Sequence, residues 1–279
     1  MAANEGKAYQ VNSSIVLFEN DPAEVVAAIR SVRDSPLRTM CTVVDNSPTS
    51  LLQECVASAG AHYIHSNRNL GFGAAHNFAL RAHIEDAEFC LIQNPDVHFS
   101  PDTLCALYKF MLAHPEVGLV MPKILYPDGT EQRLCKLLPG PLDLILRRFG
   151  GAIGDALFRK QHERYELAHL DLGVAREIPC LSGCFMFIRS GALRDVGCFD
   201  ERYFMYMEDV DLCRRIGAKY KTVFFPYVSI THGYQKGSYR VGDLMKHHVE
   251  SAIRYFGKWG WFRDSAREEL NKRTGQMIL

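Results

Sequence analysis

Three carboxylates fall within four positions at Glu208-Asp209-Val210-Asp211. The large apolar run Tyr203-Phe204-Met205-Tyr206-Met207 precedes them, and Arg214-Arg215 follows. Acids this close repel one another, and burial beside aromatic rings disfavours their charged forms. A solvated helix face could carry such a cluster with no further role. The apolar lead-in instead places Glu208 and Asp209 at the wall of a pocket. There a carboxylate with a raised pKa can take a proton from a substrate. Asp211 reads as structural, paired with Arg214 or Arg215.

Three more stretches and one histidine carry groups suited to a charged ligand. Asp45-Asn46-Ser47-Pro48 follows an apolar run and is, by itself, turn chemistry. Asn67-Arg68-Asn69-Leu70-Gly71-Phe72-Gly73 sets a cation and two glycines ahead of a helix. Such glycines let backbone N–H groups approach an anion at a helix N-terminus, although a tight turn would need them equally. The spacing is not that of a dinucleotide fingerprint, in which the acid follows the glycines. Asn94-Pro95-Asp96 ends another apolar run, so Asp96 stands where a divalent ion with oxygen ligands could be held, or in a plain turn. His232 has the chemistry of a further ligand or of a satisfied histidine.

These residues need elements to position them. Residues 13–18, 42–44, 63–64, 88–93 and 117–124 read as strands. Asp21-Pro22 starts a first helix, 51–59 forms a second stopped by Gly60, 74–85 a third, and Ser100-Pro101 opens a fourth. The alternation predicts an α/β domain with a mostly parallel central sheet and helices on both faces. Ligands bind beyond the carboxyl ends of such strands, which puts Asp45 and Asp96 on one rim. The pattern breaks over 134–170, where Leu137-Leu138-Pro139-Gly140-Pro141 leads into a mix of aliphatics and arginines. This insertion is amphipathic, either a solvated helix or a surface that meets a membrane or a lipid-linked ligand. Strand character returns over 177–188, Ser190 caps a short helix, and Asp209 begins a helix through Arg215 closed by Gly217. A strand at 221–225, a loop at 234–240 rich in Gly, Tyr and basic residues, and a helix at 243–256 follow. The tail, 263–279, reads as a charged, solvated helix.

At 279 residues the chain can bury one large core, read as a single domain over 1–262. Its 32 basic and 32 acidic residues cancel, so no net field points to nucleic acid. Nine cysteines, mostly inside apolar runs, fit reduced core thiols of a cytoplasmic protein. Cys180 and Cys184 lack a second pair at zinc-ligand spacing. The N-terminus shows no signal-peptide core, and no apolar run approaches the ~20 residues that span a bilayer. The expectation is a cytoplasmic protein, soluble or peripheral on the inner face of the membrane.

The order of these features resembles the family 2 glycosyltransferases of the GT-A fold, from Ile15 to about Arg267. The residues that carry the resemblance are 69–77, Asn94-Pro95-Asp96-Val97, Ser182-Gly183-Cys184-Phe185-Met186, Phe199-Asp200-Glu201 and Glu208-Asp209-Val210-Asp211. Within the family the chain looks most like bacterial rhamnosyltransferases of surface polysaccharide assembly, through Asp45–Thr49, Leu137-Leu138-Pro139 and Tyr255–Trp261. The resemblance implies a nucleotide-sugar donor, dTDP-rhamnose first, and a saccharide acceptor on a lipid. Residues 11–130 would form the donor half and 177–262 the acceptor and catalytic half. Asp45 would accept a hydrogen bond from the base, with Asn46, Phe18 and Glu19 nearby. Arg68, Asn69, Gly71, Phe72, Gly73 and Asn77 would lie by the nucleotide and diphosphate. Asn94 and Asp96 stand at the family's Asp-x-Asp position, with Mg2+ or Mn2+ on Asp96 and a further ligand in His232. Asn94 departs from the first acid of that pattern, which lowers the charge offered to an ion. Ser182 and Gly183 would lie on the acceptor side, Asp209 would be the catalytic base, and Glu208 would position it.

Two other classes fit parts of this pattern. A nucleotidyltransferase should carry a basic phosphate signature after the first strand, where Phe18-Glu19-Asn20-Asp21 stands. A non-catalytic sugar-nucleotide binder has no need of the Glu208-Asp209 pair.

Overall fold

The computed structural model describes residues 6–144, 158–233 and 241–278, and of 241–244 the backbone alone. Ile145 and Phe149 of the amphipathic insertion, and the 234–240 loop, lie outside the described residues.

The first half alternates as its sequence predicts: β1 (Tyr9–Leu17), α1 (Pro22–Arg33), β2 (Thr39–Asp45), α2 (Gln53–Ser58), β3 (His62–His65), α3 (Phe72–His83) and β4 (Ala87–Gln93). Asp21 caps α1 by accepting from Ala23 N at 2.7 Å, with Pro22 in the first turn. The two faces of β2 can be told apart by adjacent residues. Val43 joins the large core beneath α1 and α4 (Pro101–Ala113), whereas Val44 meets Ala75 and Ala79 of α3 on the other side. Strands covered on both faces carry unbroken apolar runs, as in Phe89-Cys90-Leu91-Ile92, each at most 1% exposed.

The second half is β5 (Val97–His98), α4, β6 (Val117–Leu125), α5 (Arg159–Tyr165), β7 (Arg176–Glu177), β8 (Phe185–Arg189), α6 (Ser190–Val196), α7 (Glu208–Gly217), β9 (Lys221–His232), α8 (Val241–Trp259) and α9 (Ser265–Lys272). The sheet order is β3-β2-β1-β4-β8-β6-β9-β5, with β7 on β9. It is parallel across β3-β2-β1-β4 and mixed beyond, because β8 runs antiparallel to both β4 and β6. The inversion turns the start of β8 toward the carboxyl end of β4, and the Ser182-Gly183-Cys184 loop enters the ligand rim there.

Several local expectations change. The 177–188 run splits into β7 and β8, with the 182–184 loop between. The strand from Lys221 continues to His232. The helix α6 starts at Ser190 itself, so its N-cap is Arg189, and Ser100, the N-cap of α4, makes no side-chain cap bond. The charged tail is docked: Leu270 is 7% exposed, Asn271 Nδ2 donates to Leu138 O at 3.1 Å, and Met277 bridges to Arg176. Asp264, 6% exposed, binds the buried Arg214 of α7 through Nη1 at 2.6 Å. The tail is therefore packed against the body of the chain and not solvated. Among the described residues, no helix is long and apolar enough to cross a membrane.

Candidate active site

The acidic stretch opens α7, which starts at Glu208, one residue earlier than the sequence suggests. Tyr206 (φ 69°) and Met207 (φ 67°) precede it in the left-handed region. Two bulky residues there cost roughly 1–3 kcal/mol each and persist only where their surroundings hold them. Helix α8 does so. Ser251 Oγ donates to Met205 O at 2.8 Å, the His248 ring packs on Tyr206 at 4.9 Å, and Met207 is buried with Tyr255 and Phe256.

Asp211 is structural, as expected, and its partner is Arg215, whose Nε donates to Oδ2 at 2.8 Å. Trp259 Nε1 and Lys258 Nζ, both of α8, hold Oδ1 at 2.8 and 2.7 Å. Lys258 also reaches Asp200, whose carboxyl is held far below the usual range by Arg202 first and Lys258 next.

Asp209 and Glu208 have unequal surroundings. Asp209 Oδ2 accepts from Gly183 N at 3.0 Å and Oδ1 from Val210 N at 2.8 Å. Glu208 is 5% exposed, and its Oε2 has no hydrogen-bond partner among the described residues. Burial raises both carboxyls, and the charge of Asp209 raises Glu208 further. These surroundings favour the proton on Glu208 and the charge on Asp209, where two N–H dipoles stabilise it. Gly183, expected on the acceptor side, is buried with its N–H on Asp209. A Cβ there would stand 3.1 Å from that of Asp209. Ser182 beside it is half-buried.

The next residue leads to the second corner. Cys184 O accepts from Asn94 N at 2.9 Å. Beyond it, Asp96 Oδ1 lies 3.4 Å from His232 Nε2, and Asn94 Nδ2 lies 3.3 Å from the same nitrogen. Two donors sharing one divalent ion with bonds near ~2.1 Å stand about 3 Å apart, so the Asp96–His232 pair fits such an ion. Among the described residues no three His, Cys, Asp or Glu side chains gather at one point. An ion here would complete its shell from ligand oxygens and water. The sequence gives no sign of Gln132, which turns out to contact the His232 ring at 3.0 Å.

The residues expected at the donor divide into buried and exposed ones. Asp45 has no exposed surface. Its Oδ1 accepts from Ser47 N at 2.9 Å and its Oδ2 from Tyr63 OH at 2.8 Å. Burial, then the neighbouring carboxylate, keeps the Tyr63 proton on. Through these two bonds Asp45 ties the rim together. Asn46 is likewise internal, donating to Gly71 O at 3.0 Å. Phe18, Glu19, Arg68 and Asn69 are the exposed members. Glu19 N is fixed by Ser47 Oγ at 2.8 Å, and Asn69 Oδ1 accepts from Gly71 N at 2.9 Å.

The glycine loop is tied to the acidic stretch more than to open space. Phe72 N donates to Phe204 O at 2.9 Å, and a Cβ on Gly71 (φ 80°) would stand 2.1 Å from that oxygen. A Cβ on Gly73 would meet that of Phe199 at 2.8 Å, so this glycine serves packing. Asn77, expected at the donor, is fully buried. Its Nδ2 donates to Phe199 O (3.0 Å) and Glu201 Oε1 (2.8 Å), and its Oδ1 accepts from Phe199 N (3.0 Å). All three amide bonds go to the 199–201 loop, and the side chain has no exposed surface to offer a ligand. The Phe72 ring packs on His76 and Phe199 at 4.4 and 5.8 Å, as an internal prop of the same loop.

Comparison with known proteins agrees with this geometry. The model of glycosyl transferase family 2 matches residues 13–197. The chain is 31% identical over 219 residues to N-acetylglucosaminyl-diphospho-decaprenol L-rhamnosyltransferase of Mycobacterium tuberculosis, covering 72% of this chain and 69% of that one. It is 25% identical over 227 residues to rhamnosyltransferase WbbL of Escherichia coli, covering 77% and 81%. Among solved structures, mannosyltransferase PcManGT of Pyrobaculum calidifontis, in complex with GDP-Man and Mn2+, superposes with a TM-score of 0.59 at 16% identity, over 90% of this chain and 64% of that one. GalNAc-T7 with UDP, GalNAc and Mn2+ gives 0.62 at 13% identity, over 90% and 48%. The chain thus spans less than two thirds of either solved chain, and these two likenesses concern the GT-A fold. With the family model covering well over half of its length, the chain belongs to glycosyl transferase family 2.

Proposed function

We propose that the protein transfers L-rhamnose from dTDP-rhamnose, with inversion, to a lipid-linked saccharide, as part of bacterial surface polysaccharide synthesis. The carrying observation is the pair of bonds made by Gly183 and Cys184. One holds Asp209 and the other holds Asn94, so base and Asp96–His232 corner share one rigid link. The donor sugar and the acceptor class rest on the Mycobacterium tuberculosis relative, which is named for L-rhamnose and a diphospho-decaprenol acceptor.

The chemistry follows from the charges. The acceptor oxygen attacks the anomeric carbon as the bond to the diphosphate breaks, and the hydroxyl proton passes to Asp209. Attack opposite the leaving group inverts the centre. Glu208 keeps its proton and so leaves Asp209 as the only charge of the pair. Mg2+ or Mn2+ held by Asp96 and His232 would neutralise charge on the leaving diphosphate. The Gly71–Phe72 backbone and Arg68 flank the same rim.

The acceptor reading places the insertion toward the inner face of the cytoplasmic membrane as a peripheral contact. Leu142 (50% exposed) and Phe158 (39%) lie within it and support this. The test is nucleotide release from a panel of nucleotide-sugars, with a lipid-linked acceptor and with or without chelator. Turnover is expected with dTDP-rhamnose, inverted in the product and lowered by chelator. Turnover only with UDP- or GDP-sugars overturns the donor assignment. Full binding to anionic liposomes after Leu142→Ser and Phe158→Ser overturns the membrane contact.

A further inference from the structure

The turn after β6 brings a glutamine to the ion corner. Tyr126 N donates to Thr130 O at 2.7 Å, and Gln132 N donates back to Ile124 O at 2.8 Å. On the parallel neighbour β9, Thr231 pairs with Leu125, so Gln132 arrives beside His232. It is 5% exposed, and each of its amide groups has a partner. Nε2 donates to His232 O at 2.9 Å and to Leu125 O at 3.3 Å. Both are carbonyls, which only accept, so the amide cannot be flipped. Its Oε1 therefore faces His232 Nδ1, at 3.0 Å.

An oxygen that only accepts requires a hydrogen on Nδ1. In the neutral imidazole the other nitrogen, Nε2, then carries no hydrogen and presents its lone pair as an acceptor. That nitrogen is the one turned toward Asp96 Oδ1 and Asn94 Nδ2. The opposite tautomer would put a hydrogen on Nε2, where an ion would have to bind. We infer that Gln132 is a positioning residue that holds His232 in the tautomer able to ligate a divalent ion, an inference that rests on the metal-assisted reading above. Gln132 grips the histidine twice, at ring and backbone, so it sets the aim of the ring as well as its hydrogen.

The test uses the whole chain, Mn2+ and dTDP. In metal-free protein, nitrogen NMR of the His232 ring is expected to show hydrogen on Nδ1. Gln132→Leu is expected to lower Mn2+ affinity by ~10–100-fold, read from free Mn2+ by electron paramagnetic resonance. Its dTDP affinity without metal should stay at the parental value, which reports a folded rim. The NMR reading is made on the parent, so it stands even if the variant fails to fold. A neutral parent ring with hydrogen on Nε2, or equal Mn2+ affinity in the variant, overturns the inference. A parent that binds no Mn2+ overturns it too, even if sugar transfer proceeds. A parent that binds Mn2+ yet turns over no nucleotide-sugar sinks the proposed function alone.

Discussion

The N–H of Gly183 donates to Asp209 Oδ2 at 3.0 Å, across the gap between the β8 loop and the first turn of α7. This bond divides the labour of two adjacent acids. It favours charge on Asp209, while Glu208, buried with no partner for Oε2 among the described residues, is the acid that favours a proton.

Glu208→Gln should therefore keep the rate within about threefold of the parent, since an amide resembles the protonated acid. The acid limb of the rate profile should stay above the ordinary carboxylate range, because burial, the leading cause for Asp209, survives the substitution. Stability carries an independent sign. A carboxyl raised on folding contributes its full stability below its unfolded pKa and loses it as pH climbs through the folded value. Glu208→Gln should melt above the parent by a margin that widens as pH rises from the ordinary glutamate value through the raised one. A constant margin in a pH series of thermal melts would contradict a protonated Glu208.

Gly71→Ala should break the contact between the Gly71–Gly73 loop and the acidic stretch. The new Cβ would sit 2.1 Å from Phe204 O, at a φ of 80°. Strain and overpacking together should cost about 2 kcal/mol or more in urea denaturation. Gly129→Ala, with a similar φ of 84° and nothing within 4 Å, should cost only the backbone strain, about 1–2 kcal/mol. Equal losses at the two sites would mean that the 204 carbonyl is free to move.

Arg214→Met should destabilise by ~3–5 kcal/mol, because it leaves Asp264 charged and unpaired in the interior. Both side chains are 3% exposed, and the guanidinium lies 4.1 Å from the Trp259 ring centroid. The double change Arg214→Met with Asp264→Leu should recover much of the loss. A double variant as unstable as the single one in urea titrations would show that the tail docks by other means.

Residues set by local pattern were legible in the sequence. Asp96 follows an apolar strand run, Asp21-Pro22 marks a helix start, and Gly71 precedes a helix at a turn that only a glycine accepts comfortably. What was not legible depends on distant partners. Asn77 carries a polar amide that suits a ligand equally well, and only the approach of the 199–201 loop shows where its bonds go. Asp45 reads as a ligand group until Tyr63 closes over it. Gln132 and His232 are a hundred positions apart. The tail is charged enough to read as solvated, yet Asp264 and Leu270 anchor it through contacts that its own composition does not announce.

The most direct test of Asp209 as the base is the rate of sugar transfer by Asp209→Asn with donor and acceptor saturating, alongside its dTDP affinity. The amide cannot accept the acceptor proton, so transfer should fall by ~10²–10⁴-fold with dTDP binding unchanged. Transfer at the parental rate by a folded Asp209→Asn would contradict the account.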